Sequence, residues 1–223
     1  MEKILKRGAE AVLILAEWSR ALYSGVKKQV VLKERVPKRY RLPAIDEQLR
    51  RSRTLLEAKL LLDAKRAGVP TPLVFEIDKE SARLVLEYVR GPQLKRVLKK
   101  ANGSMVCKLG RKIGQLAARL HRTGIVHGDL TTSNMILRKN GEICFVDFGL
   151  GEYDKSVEAR AVDLHLFRRA VQSVHFEIFD QLYSAFLEGY REEFGAEADQ
   201  IIKRADEIQK RGRYVKREER TWH

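Results

Sequence analysis

Two short polar segments constrain this chain more than anything else in it. The first is His127-Gly128-Asp129-Leu130-Thr131-Thr132-Ser133-Asn134 and the second is Asp147-Phe148-Gly149. Between them lie two runs suited to strands, residues 135–137 and 143–146, which pair as a hairpin because Asn140-Gly141 is a favoured turn. Asn134 stands five positions after Asp129, and Asp147 stands eighteen after it. Taken singly, each of these polar residues reads as a turn residue or a helix cap. Taken together, with a lysine-bearing strand and a glutamate-bearing helix upstream, they read as a site.

All five prolines fall between Pro37 and Pro92, and the later half of the chain reads helical. Residues 11–18 are apolar and suit a strand. Residues 29–33 are rich in valine, whose branched side chains pack well on a pleated face, and they end on Lys33. A long charged helix is expected over 45–67, with an apolar stripe at Leu49, Leu56, Leu60 and Leu61 and a stop at Gly68 and Pro70. Residues 83–89 form a third clear strand, ended by Gly91-Pro92. Ser104 can cap the next helix, which runs to His121 with Leu109, Ile113, Leu116 and Leu120 on its apolar face. Helices fill much of the chain after Val157. The expected class is α+β and bilobal: a sheet-rich lobe over residues 1–90, a reduced helical lobe over 91–208, and a basic tail over 209–223.

With 223 residues and 44% hydrophobic content the chain can bury a sizeable core. A net charge of +14 favours an anionic partner such as nucleic acid. Cys107 and Cys144 sit in apolar patterns and read as buried free thiols. No stretch approaches the roughly 18 apolar residues of a membrane span, so a soluble cytoplasmic protein is expected.

The chemistry that suits these residues is phosphoryl transfer. It needs phosphate charge neutralised and an acceptor held in line. Asp147 can hold magnesium against phosphate oxygens, and Asn134 can hold a second ion through its amide oxygen, both being hard oxygen ligands. Asp129 can orient an acceptor hydroxyl or water and accept its proton. His127 reads as a structural hydrogen-bonding residue. Lys33 can reach the α and β phosphates of ATP from the end of its strand. Glu57, on the long helix, can steady that ammonium, although Lys59 and Glu34 offer alternative partners. The run Lys6-Arg7-Gly8-Ala9-Glu10-Ala11 has one glycine, and its amides, at Gly8, Ala9 and Glu10, can still cradle phosphate. Glu87-Tyr88-Val89 suits a hinge whose backbone meets adenine.

The chain resembles protein-kinase-like enzymes across nearly its whole length, and within them the small atypical kinase family of the KEOPS complex. The likeness is carried by residues 127–136, by Asp147-Phe148-Gly149-Leu150, by the Glu57-Ala58 helix, by Gly68-Val69-Pro70-Thr71-Pro72 and by the short basic C-terminus. It implies a kinase-like bilobal fold, Lys33 for phosphate, Glu57 for its ion pair, Asp129 as catalytic aspartate, and Asn134 with Asp147 for metal. It also implies that Asp163 braces the catalytic loop. The chain departs from ordinary protein kinases at Gly128, where they carry arginine, and at Thr131, where serine/threonine kinases carry lysine. No Ala-Pro-Glu segment follows Gly149, so an extended activation segment is not expected. The resemblance implies ATPase activity, autophosphorylation and limited serine phosphorylation. It places them in tRNA threonylcarbamoyladenosine (t6A) synthesis, beside the ATP-using modification enzyme and other KEOPS subunits. The alternatives are an independent serine/threonine kinase, a small-molecule kinase, or a pseudoenzyme that binds RNA or a partner.

Residues 27–53 hold ten Lys or Arg against three acidic residues, and residues 203–220 hold eight against four. Gly212 is expected to interrupt the last helix and leave a basic tip. Such a tip suits a phosphate backbone, with Tyr214 free to stack on an unpaired base. The tail can equally fold back toward the nucleotide cleft.

Overall fold

A computed structural model describes residues 3–18 and 28–214, with side chains as far as Arg211. Strands β1 (Lys3–Arg7), β2 (Ala11–Trp18) and β3 (Lys28–Arg35) run antiparallel. Helix α1 (Pro43–Arg66) then leads to β4 (Val74–Asp78) and β5 (Arg83–Glu87). The sheet order is β1-β2-β3-β5-β4. The register places Lys33 between Leu13 on β2 and Leu84 on β5, and Val30 opposite Glu87. β1 and β4 are the two edges of this sheet. Charged side chains blunt such edges and suppress apolar alternation, which is why the sequence pattern does not reveal these two strands.

Pro43 opens α1, where a missing N–H costs nothing. Asp46 in the first turn and Lys65 and Arg66 in the last complement the helix dipole. The buried face differs from the expected stripe. Leu60 and Leu61 are buried, but Leu56 is exposed and Leu49 half-buried. The core side is Thr54, Glu57, Ala58, Leu61 and Ala64. A glutamate sits in that face because two cations meet it there, which an apolar count cannot register.

The second lobe begins with α2 (Leu94–Leu98) and α3 (Gly103–Arg122). Next come β6 (Ile125–Val126), the hairpin β7 (Met135–Leu137) and β8 (Ile143–Phe145), and β9 (Glu152–Tyr153). Helices α4 (Val157–Val174), α5 (Phe179–Phe194) and α6 (Ala198–Tyr214) complete it. Asn102, not Ser104, caps α3, its side chain accepting from the Met105 amide at 3.0 Å. The hairpin forms with Met135 opposite Phe145 and Leu137 opposite Ile143. Its loop is one residue longer than a two-residue Asn-Gly turn. Gly141 alone takes positive φ (+80°), and Arg138 N–H donates to Glu142 O.

Helices α3 and α5 pack at backbone distance. A Cβ on Gly114 would lie 2.0 Å from the Phe186 carbonyl oxygen. Phe167 and Phe186 stack at 4.2 Å beneath the cleft. After Gly149 the chain pairs β9 with β6 and enters α4 at once, capped by Ser156, so no extended activation segment exists.

Two further expectations change. Cys144 is a buried free thiol, but Cys107 is exposed, at the mouth of a groove between α3 and α5. Helix α6 runs through Gly212 to Tyr214, because flanking Lys and Arg tolerate one glycine at a cost of about 1 kcal/mol. The expected role of the Tyr214 side chain, and the tail beyond it, lie outside the described residues. No helix among the described residues is long and apolar enough to cross a membrane.

Candidate active site

Residues distant in sequence meet between the two lobes. Lys33 Nζ lies 2.5 Å from Glu57 Oε1 and 2.6 Å from Asp147 Oδ1. Burial disfavours the ammonium, but the Glu57 and Asp147 carboxylates outweigh it and hold the Lys33 pKa above its ordinary value. Asp147 is likewise pushed up by burial, yet the Lys33 charge and hydrogen bond leave it below the usual carboxylate range. The residue has φ +65°, a conformation that Asp tolerates, and it turns its carboxylate into the cleft. Neither Lys59 nor Glu34 replaces this pairing. Lys59 Nζ lies over the Tyr153 ring and Glu34 meets Arg83.

A residue missed by sequence reasoning shares Glu57. Arg35 Nη2 donates to Glu57 Oε2 at 2.8 Å, and its Nη1 donates to Glu10 Oε2 at 3.1 Å. Period-two alternation on β3 was the available signal, since residues i and i+2 share a face. Glu10 is also held by Arg53 at 2.6 Å, and Lys38 Nζ donates to the Ala9 carbonyl. The β1–β2 turn (Gly8, Ala9, Glu10) is therefore pinned over the cleft by three cations. The Glu10 carboxylate faces Arg35 and Arg53.

The opposite wall is the loop from His127 to Asn134. Asp163 on α4 is fully buried and accepts from the His127 amide at 2.5 Å and the Gly128 amide at 2.8 Å. Burial pushes its carboxyl up, but hydrogen bonding and the charge of His121 bring it below the usual range. His121 bonds Asp163 at 3.2 Å and Tyr190 at 2.9 Å, a chain from α3 to α5 with no visible sequence pattern. Gly128 takes φ +74°, and a Cβ there would lie 2.1 Å from the Leu150 carbonyl oxygen. An arginine at that position would require a different loop. Burial holds His127 below its ordinary pKa, so it is neutral, and its Nδ1 accepts from the Asp129 amide at 3.3 Å.

Asn134 Nδ2 donates to Asp129 Oδ2 at 2.8 Å and to the Asp129 carbonyl at 3.0 Å. This leaves the Asn134 amide oxygen as the atom able to face a cation. Thr132 is tied to His175 at 3.0 Å, and Gln93 donates to the Ser133 carbonyl at 3.0 Å. Both ties were invisible in the sequence.

These walls enclose two adjoining spaces. One, of about 490 Å³, has Lys33, Glu57, Glu87, Val89, Asn134 and Asp147 in its lining. The other, of about 360 Å³, adds Gly8, Ala9, Glu10, Arg35 and Asp129. Glu87 turns its carboxylate to Arg138 (3.0 Å) and the Leu73 amide (3.1 Å), and its own N–H donates to the Leu73 carbonyl (2.8 Å). Among the described residues no three His, Cys, Asp or Glu side chains group to hold a metal. The cation donors on offer are the Asp147 carboxylate and the Asn134 amide oxygen, a hard set suited to magnesium when phosphate and water oxygens complete it. A separate space of about 620 Å³ beside Cys107 and Arg111 contains none of these residues.

Fold and site together define a protein-kinase-like phosphotransferase. The ABC1 atypical kinase-like domain matches residues 58–178. The chain is 46% identical over 221 residues to the KEOPS complex subunit Bud32 of Pyrococcus abyssi, covering 99% of this chain and 98% of that protein. It is 44% identical over 192 residues to a probable serine/threonine-protein kinase BUD32 homolog of Archaeoglobus fulgidus, covering 86% and 92%. Similarity also extends to a probable bifunctional tRNA threonylcarbamoyladenosine biosynthesis protein of Methanobrevibacter smithii. That match is 40% identical over 96% of this chain but 37% of the larger protein. The chain belongs to the Bud32/PRPK family of atypical kinases and is an ATP-using enzyme of that class.

Proposed function

We propose that this protein is a magnesium-dependent ATPase and atypical serine/threonine kinase that supports t6A modification of tRNA within a KEOPS assembly. The observation that carries the chemistry is the meeting of Lys33, Glu57 and Asp147 across the cleft from the bonded pair Asp129 and Asn134. Lys33 binds the inner phosphates, and Glu57 fixes the ammonium. Backbone groups at Glu87 and Val89 meet adenine, and the Gly8-Ala9-Glu10 turn covers the phosphates. Asp129, its carboxylate oriented by Asn134, accepts the proton of a hydroxyl or water. Magnesium held by Asp147 and Asn134 would neutralise phosphate charge.

A nucleotide-binding lobe over 1–90, a helical lobe over 91–208 and a basic segment over 209–223 suit this division of labour. The short path from Gly149 to α4 provides no peptide platform, which favours ATP hydrolysis and limited phosphorylation over broad protein-kinase activity. Partnership with the threonylcarbamoyltransferase subunit is supported by the bifunctional relative, in which a segment like this chain is part of a longer t6A biosynthesis protein. The charge of +14 supports contact with tRNA, and a cytoplasmic location accords with that work.

ATP turnover in wild type, Asp147→Ala and Asp129→Ala tests the site. Both variants are expected to lose at least about a hundredfold; equal turnover in wild type and Asp147→Ala would sink the metal assignment. Deleting residues 210–223 should weaken tRNA binding and affect ATP affinity less. Unaltered RNA affinity at physiological salt would count against a role for the tail.

A further inference from the structure

Arg35 is a buried cation of the cleft to which the nucleotide reading assigns no task, whereas Lys6, which also borders it, is exposed. It rises from β3 two residues past Lys33, on the same face of the strand. Its side chain is only 4% exposed, yet it borders the space that also holds Asp129, Asp147 and Gly149. Its bonds to Glu57 and Glu10 occupy two of the five N–H donors of a guanidinium.

Strand β3 acts as a ruler along the cleft. Val30 lies opposite Glu87 at the hinge end. Lys33 is three residues further on, about 10 Å, and Arg35 five residues on, about 16 Å. Arg35 pairs in register with Ala11, at the turn that overhangs the site. A nucleotide with its base at the hinge therefore passes Lys33 first and Arg35 last. Three groups already converge at the far end. A point one Cβ bond above Gly149 is 3.2 Å from Asp147 Oδ1, 3.3 Å from Lys33 Nζ and 3.4 Å from Arg35 Nη2. The glycine leaves that slot open.

Charge balance points the same way. Lys33, Arg35 and Arg53 are met by Glu57, Glu10 and Asp147, with Arg35 sharing both glutamates. If the Asp147 charge is turned toward a divalent ion, two glutamates face three cations, and surplus positive charge is left toward the cavity.

We propose that Arg35 binds the terminal phosphate of a nucleoside triphosphate and makes the cleft prefer triphosphate over diphosphate. The inference rests on the nucleotide reading of the site, and its test separates the two. Calorimetric affinities are measured, with magnesium, for ADP and for a non-hydrolysable ATP analogue. The proteins are wild type, Arg35→Met, Arg35→Lys and Lys33→Met. Taking the ratio of the two affinities on one preparation cancels any loss of folded protein.

Arg35→Met is expected to weaken the triphosphate analogue about tenfold or more and ADP no more than about twofold. Arg35→Lys recovers part of the ratio by keeping the charge without the fork. Lys33→Met weakens both ligands. An equal loss for both nucleotides in Arg35→Met would mean that Arg35 serves only to hold Glu57, and the proposal falls. An unchanged ratio overturns it as well. If wild type binds neither ligand, the nucleotide reading itself fails and takes this assignment with it.

Discussion

The two walls of the cleft hold their functional groups by different means. On the sheet side charge meets charge: Lys33 and Arg35 share Glu57, Lys33 reaches Asp147, and Arg35 and Arg53 hold Glu10. On the helical side a single buried carboxylate, Asp163, collects two backbone amides and an imidazole, and side chains pin the loop carrying Asp129 and Asn134. An ion-pair cluster can exchange one anion for another. An amide-anchored loop cannot, because releasing its anchor strands buried N–H groups. The sheet wall is built to receive charge, and the helical wall to hold geometry.

The contrast is broken most directly at Asp163. Asp163→Ala leaves the His127 and Gly128 amides without their acceptor in a buried place. Unfolding by urea should show a loss of about 4–5 kcal/mol. Glu57→Gln should cost less, about 3 kcal/mol, although it removes the anion between two buried cations, because Asp147 and Glu10 remain to meet them. A larger loss for Glu57→Gln than for Asp163→Ala would reverse the assignment of rigid and adaptable walls.

This division was only half legible in the sequence. Lys33, Asp129, Asn134 and Asp147, which the sequence singles out by residue type and spacing, do come together around one cleft. The three inner strands show through alternation or apolar runs, and α3 through its face at Leu109, Ile113, Leu116 and Leu120, all buried. The supports do not show. His121, His175 and Tyr190 act through tertiary contacts between elements far apart in the chain, and such contacts leave no local pattern; Arg35 shows only through its period-two spacing from Lys33. Glu57 marks the boundary. Its type and helix were readable, but its burial at the centre of α1 required knowing that two cations face it. The edge strands β1 and β4 escaped for a similar reason, since partner strands rather than their own residues make them strands.

Acid and alkali should separate the walls further. Burial lowers the pKa of His127 in the fold, so the unfolded chain binds a proton that the native imidazole refuses. Stability tied to His127 is complete above about pH 6.5 and drains as pH falls below it. His165 and His175 are lowered too and add to that slope. Lys33 is raised, so its contribution is complete below about pH 10.4 and is lost as pH rises through its folded value. Denaturation at a series of pH values should find that His127→Gln removes about 1 kcal/mol of the decline between roughly pH 6.5 and 5.5. Lys33→Met should instead flatten the alkaline limb. If each substitution altered the opposite limb, the electrostatic half of the comparison would be wrong.

The smallest effect belongs to a contact that ties the walls together outside the cleft. Tyr153 on β9, just past the Asp147-Phe148-Gly149 turn, donates its hydroxyl to Asp63 Oδ2 at 2.7 Å, and Lys59 lies 5.0 Å over its ring. Both partners are on α1, the helix that carries Glu57. The hydroxyl's hydrogen bond lowers the Asp63 pKa, with Arg66 and Lys59 assisting. Tyr153→Phe keeps the ring under the ammonium and removes only the hydroxyl. An exposed bond of this kind contributes about 0.5–1 kcal/mol, so the thermal midpoint should drop by only about 1–4 °C. Titration of Asp63 followed by NMR should show its pKa rising toward the ordinary carboxylate value. The phenol thus links α1 to the turn of Asp147 in a chain with no long activation segment to do so. A loss near that of Glu57→Gln would show that α1 is held in place from outside the cleft, and that the ion pairs around Lys33 follow the position of the helix instead of setting it.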